Sequence, residues 1–151
     1  APAPAQFGKP FSLAGVSIYP LPCAHTELHT DNAGDFCELS YLIEYDDRKI
    51  FFGGDMSIYG GLVEMLADTK PDVRLLPVNG RDWFRTSRNI IGNLDSNEAA
   101  ELSVVCGAKL FIPGHHDLYS KNGCPNDWIE YSATKFNAPL KLLAPGESVE
   151  V

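Results

Sequence analysis

The chain has only four histidines in 151 residues, and none of its four cysteines forms a close pair. Cys23, Cys37, Cys106 and Cys124 lie far apart. That argues against a structural zinc site or a dithiol redox centre, both of which bring their thiols in C-x-x-C spacing. The four read as reduced thiols of a cytosolic protein. Long apolar runs are also missing, so nothing approaches the roughly 20 residues of a membrane span. The first residues lack the charged and apolar regions of a secretory leader, and none is expected. Positive charge is scarce, with 12 lysines and arginines against 20 aspartates and glutamates and a net charge of −8. A protein that tracks nucleic-acid phosphates is excluded on that ground. No Walker A loop, dinucleotide fingerprint or G-x-S-x-G elbow is present, which removes the common nucleotide and serine-hydrolase chemistries.

What is present is concentrated where strands stop. Residues 109–112 form an apolar strand that breaks at Pro113-Gly114 and runs straight into His115-His116-Asp117. Residues 49–52 run into Gly53-Gly54-Asp55, and residues 16–21 run into Pro22-Cys23-Ala24-His25-Thr26-Glu27. A strand end fixes the backbone, imidazole is the commonest metal ligand, and a neighbouring carboxylate serves as a ligand or orients a histidine. A lone histidine at such a place is more often a surface-loop residue, whereas for Asp55 the turn-aspartate reading is the lesser one. Together, three such ends favour a metal site. His115 and His116 are sequential, so their side chains diverge; one is expected to bind metal and the other to support it or face substrate. A metal-activated water is the chemistry these residue types support best.

The rest of the chain reads as one layered α/β (α+β) domain. Residues 1–11 repeat proline and read as an extended, linker-like segment, with the domain over 12–151. Residues 37–45 and 49–52 make a hairpin around Asp46-Asp47-Arg48. Residues 60–68 carry Leu62, Val63, Leu66 and Ala67 at helical spacing, and 73–78 is a fully apolar strand. A polar loop is expected over 79–94. Asp95 and Glu98 form a capping box opening a helix to about Cys106, with Gly107 as its stop. A helix over 126–136 is expected with Asp127 as its cap, then closing strands at 140–143 and 148–151. Arg81, Arg85 and Arg88 cluster in the loop beyond a buried strand, where open α/β sheets bind ligands. A guanidinium there suits a phosphate or carboxylate; a solvated loop fits equally.

The segments Ala24-His25-Thr26, Gly53-Gly54-Asp55 and Pro113-Gly114-His115-His116-Asp117 resemble the later metal-binding motifs of the metallo-β-lactamase fold. Phe52 to Tyr59, the loop from Asn79, Asp95 to Ala100 and Ile112 to Asp117 are similar to the L-ascorbate-6-phosphate lactonase branch, in order along the chain from about Ser12. The resemblance implies a metal-dependent, lactonase-like hydrolase acting on a small substrate, phosphorylated in that branch. It implies a divalent metal, Mn or Zn, held by His25, Asp55 and His115, with Asp55 bridging two ions. Asp55, His116 and Asp117 become the catalytic group, and Arg81, Arg85 and Arg88 the substrate group. The H-x-H-x-D-H signature that should lie upstream is absent. The expectation is therefore the C-terminal half of an αββα sandwich, whose missing N-terminal half or a second chain completes it in an oligomer. The alternative is a non-catalytic half-domain that binds a partner chain.

Overall fold

The computed structural model describes residues 4–119 and 121–151. Six strands form one mixed sheet in strictly sequential order: β1 Phe11–Leu13, β2 Val16–Pro22, β3 Leu39–Tyr45, β4 Arg48–Phe52, β5 Val73–Pro77 and β6 Leu110–Gly114. The first four run antiparallel to their neighbours, and β4, β5 and β6 run parallel. The β3–β4 hairpin turns on Asp46 and Asp47, both left-handed with φ of 47° and 61°. Two central residues of positive φ make the turn whose twist matches the flanking strands.

Helices α1 (Leu62–Thr69), α3 (Ser96–Val105) and α4 (Asn126–Phe136) accompany the parallel strands. Asp95 and Glu98 form the expected reciprocal cap at the start of α3. Gly107, with φ of 72°, follows its last turn. One sheet row runs Leu42, Phe51, Arg74, Phe111 across β3 to β6, and all four are buried. Phe51 and Phe111 pack with Leu62 and Leu66 of α1, Leu102 of α3 and Ile129 of α4 in a single core. Arg74 is fully buried there without a carboxylate partner. Its guanidinium donates to the Ser103 carbonyl at 3.3 Å and the Cys106 carbonyl at 2.7 Å. Those carbonyls close α3, so the cation meets the negative end of the helix and satisfies acceptors that the helix leaves open.

The opposite face is different. Its rows run Ile18, Ile43, Ile50, Val73, Leu110 and Pro20, Tyr41, Phe52, Leu75, Ile112. Pro20 and Val73 are buried, whereas the rest are half-buried and Phe52 is exposed. An apolar sheet face thus lies open to solvent.

Several local expectations need correction. Residues 11–13 form an edge strand that straddles the boundary expected between the linker-like segment 1–11 and the domain; residues 1–3 of that segment lie outside the described residues. Within it, Gln6 donates to Asp35 at 2.6 Å, and Phe7 packs edge-on against Phe36. The loop over 79–94 contains a single helical turn, α2 (Trp83–Thr86), capped by Asp82. Residues 140–143 and 148–151 are not strands: the bridge between Phe111 and Leu140 is the only ladder contact recorded for them among the described residues. Pro125, not Asp127, occupies the N-cap of α4, and no side chain closes that cap. Proline suits a helix start because its missing N–H would have had no partner.

Candidate metal centre at the strand ends

Strand direction brings the expected residues to one edge. β4, β5 and β6 are parallel, and β2 is antiparallel to β3, which is antiparallel to β4. So β2, β4, β5 and β6 all end on the same side, where they deliver His25, Asp55, Asn79 and His115.

The Asp55 turn is built on close backbone contact. Gly53 N–H donates to the Leu75 carbonyl at 3.0 Å. A Cβ on Gly53 would fall 2.5 Å from Met56 Sδ, so any larger residue there forces the buried Met56 to move. Ser40 Oγ holds the Gly53 carbonyl at 2.9 Å, and the Cys23 thiol lies 3.4 Å from the Asp55 carbonyl. In return, Ser57 Oγ donates to the His25 carbonyl at 2.9 Å, its N–H to the Ala24 carbonyl at 2.7 Å, and Tyr59 Oη to the Pro22 carbonyl at 2.6 Å. The His25 and Asp55 segments are therefore stapled to each other. Burial pushes the Cys23 thiol above its ordinary pKa and the Tyr59 phenol up to about 12, so both stay neutral donors.

Asp55 and His115 meet: Nε2 of the imidazole lies 3.3 Å from Oδ1 of the carboxylate. His115 holds a left-handed backbone with φ of 59°, uncommon for a non-glycine residue. Asn93 is the residue that sequence reasoning missed. It is buried, donates to Asp55 Oδ1 at 3.3 Å and to Asn79 Oδ1 at 2.9 Å. Asn93 thus holds the carboxylate and is itself held by Asn79. Nothing in the loop's composition singles Asn93 out from Asn79 or Asn89.

His25 stands apart from that pair. It borders a cavity of about 350 Å³ with Ser57 and Arg81, whereas Asp55 and His115 border a smaller one, about 160 Å³, with Phe52 and Ile112. Among the described residues no cluster of three or more His, Cys, Asp or Glu side chains has metal-holding geometry. Even so, Nε2 of His25 and Nδ1 of His115 are buried without a hydrogen-bond partner. Buried polar atoms are normally satisfied, so each is open to a water or a ligand, with no partner among the described residues. The donor types fit a divalent cation as an incomplete set. His116 Nδ1 is likewise unpartnered, and Asp117 is exposed.

The arginines are committed elsewhere. Arg81 forks onto Glu98 at 2.5 and 2.8 Å and also reaches the Asn93 carbonyl at 2.8 Å. Arg85 donates to the carbonyls of Asn79, Gly80 and Gly123 and pairs with Asp82. Arg88 donates to the Phe84 carbonyl at 3.0 Å and covers its ring. All three organise the loop on which they were expected to bind substrate. The four cysteines are free, as expected. No helix among the described residues is long and apolar enough to cross a membrane.

The fold is that of the metallo-β-lactamase type: a mixed α/β architecture shared with solved members. The metallo-β-lactamase fold protein YhfI from Bacillus subtilis superposes with a TM-score of 0.62 at 18% identity, covering 92% of this chain and 51% of that one. Igni18, a metallo hydrolase from Ignicoccus hospitalis, superposes with a TM-score of 0.69 at 18% identity over 96% of this chain and 58% of that one. In sequence, the chain is similar to a UPF0173 metal-dependent hydrolase of Korarchaeum cryptofilum, with 27% identity over 149 residues. That match takes in 97% of this chain but only 60% of the relative's length. No protein-family model matches.

Proposed function

We propose that this chain carries part of the active centre of a metal-dependent hydrolase, with His25, Asp55 and His115 as its share of the metal ligands. The observation that carries the reading is the Asp55–His115 contact of 3.3 Å at the strand-end edge, with unpartnered imidazole nitrogens on His115 and His25. The hydrolase names of the sequence relative and of Igni18 support it. A divalent ion, Mn or Zn, supplies a water of lowered pKa and polarises the bond to be cleaved. Within the chain, Asn93, held by Asn79, orients the Asp55 carboxylate, and Ser57 and Cys23 fix the two loops against each other. His116 and Asp117 stand next to His115 to support it or to face substrate. A cyclic ester, as in lactonases, is the substrate type proposed. The non-catalytic alternative gains no support from the relatives' names.

The remaining ligands are proposed to come from sequence beyond these residues or from a second chain. The open apolar sheet face, with Leu39, Tyr41, Ile43, Ile50 and Phe52, is the surface it would cover. A face of a few hundred Å² is worth several kcal/mol at about 25 cal/mol per Å². Sedimentation should show association through that face, and a Phe52→Asp substitution should reverse it; a monomer over a wide concentration range argues against the completing partner. Calorimetry with Mn²⁺ and Zn²⁺ tests the centre. Asp55→Asn should abolish hydrolysis and weaken metal binding at least tenfold, whereas Cys124→Ser should leave both nearly intact. Equal losses from the two substitutions would point to a cysteine-based site.

A further inference from the structure

The cavity beside His25 has a wall whose charge is already neutralised. Its volume, about 350 Å³, lies at the small end of the range for small-molecule sites. Ile90 and Ile91 supply apolar surface, and Thr26, Ser57, Thr86 and Asn89 supply neutral polar groups. Arg81 is the permanent cation on the lining. Both of its terminal nitrogens are forked onto the Glu98 carboxylate. Glu98 is held in turn, because its side chain accepts from the Asp95 N–H at 3.0 Å to close the α3 cap. An incoming phosphate or carboxylate would have to displace a carboxylate that is tethered in place and already hydrogen-bonded. It would do so on a chain of net charge −8. Arg85 and Arg88 offer no substitute, since neither lines this cavity and both serve backbone carbonyls. Thr26, Ser57 and Asn89 are the neutral polar side chains left to meet a ligand's polar group.

We infer that this cavity selects an uncharged small molecule, with an apolar body against Ile90 and Ile91 and its polar group toward Thr26, Ser57 and Asn89, and rejects phosphorylated or carboxylated ones. The inference rests on the hydrolase reading only in taking that molecule to be the substrate; the binding preference stands without it.

The test is NMR titration of the ¹⁵N-labelled chain with matched probes: γ-octalactone as the neutral ligand, hexyl phosphate and inorganic phosphate as anions. The lactone should shift the amides of Thr26, Ile91 and Gly92, and the anions should leave them in place. Ile91→Asp should weaken the lactone about tenfold, the equivalent of ~1.4 kcal/mol. Glu98→Gln keeps a capping-box side chain at the same position but frees the charge of Arg81. That variant should gain phosphate-dependent shifts at Gly92 that the wild type lacks. Hexyl phosphate binding the wild type as tightly as the lactone at these amides would overturn the inference, as would the absence of any lactone shift. Lactone binding without turnover by the metal-supplied protein would uphold it while counting against the hydrolase reading.

Discussion

The two faces of the sheet are made from similar residues and behave differently. On the helix side, Phe51 and Phe111 are fully buried, and even Arg74 is shut away from water with its donors on the end of α3. On the other side, Phe52 follows Phe51 in the same strand yet is 44% exposed. Alternation of side chains across a strand puts neighbours in opposite environments. The difference shows that hydrophobicity of the residue does not decide its contribution; the layer above it does. The metal-competent residues sit at the strand ends where the two environments meet. Asp55 and His115 share a cavity with Phe52, Leu75 and Ile112 of the open face.

The sharpest way to break this comparison is to truncate the two phenylalanines in turn. Phe51→Ala should cost about 3–5 kcal/mol in urea unfolding, as core aromatic truncations do. Phe52→Ala should cost less than about 1 kcal/mol in the dissociated chain. Comparable losses would mean that the open face is covered in solution. Next comes Arg74→Ala, which takes the guanidinium donor from the Cys106 carbonyl, leaves the Ser103 carbonyl with only the Ala108 N–H, and opens a cavity. A loss of about 2–4 kcal/mol is expected, read as a fall in the urea midpoint at unchanged slope. A neutral outcome would mean that water enters to replace the guanidinium.

The third test uses pH. Tyr59 packs against the helix-side core, and its phenol is raised from 10.0 to about 12, chiefly by burial. A group whose pKa is raised on folding stabilises fully below its unfolded value and loses that contribution as pH rises through the folded one. Stability should therefore fall between pH 10 and about 12 by at most about 3 kcal/mol, and Tyr59→Phe should flatten that part of the profile. An unchanged slope in the variant would assign the loss to other groups. The last test is Asp95→Ala, which opens the α3 cap at a cost of about 1 kcal/mol in urea unfolding. A loss several times larger would show that the cap also holds the Arg81–Glu98 pair and the cavity wall.

The legible parts of the chain were those fixed by local chemistry. The hairpin at Asp46-Asp47, the Asp95–Glu98 cap and the Gly107 stop depend on residues within a turn of one another, and each is found in the structure. The edge strand at Phe11–Leu13 was hidden because all three of its residues are exposed and prolines precede it. Residues 140–143 and 148–151 have strand-like composition but lack a continuous neighbour, and pairing makes a strand. The site divides in the same way. Asp55 and His115 were visible because a strand end announces them. Asn93 was not, because its partners lie 38 and 14 residues away. Local density marked the arginines, whereas the carboxylate that occupies Arg81 lies 17 residues further on.

The sequential order of the six strands has a consequence for synthesis. Each strand leaving the ribosome finds its neighbour already made, so the sheet can lengthen one strand at a time without waiting for a distant segment. The antiparallel meander through β4 has two-residue turns at β1–β2 and β3–β4 and a longer loop, residues 23–38, between β2 and β3, and all its pairings are between sequence neighbours, so it can form early. β5 and β6 must wait for the crossovers carrying α1 and α3, which lay down the core as they pass. Throughout translation, the newest strand is the unpaired edge, and the next one to emerge covers it. The growing side is therefore the one open to edge-to-edge aggregation, and each strand closes the exposure left by the one before it.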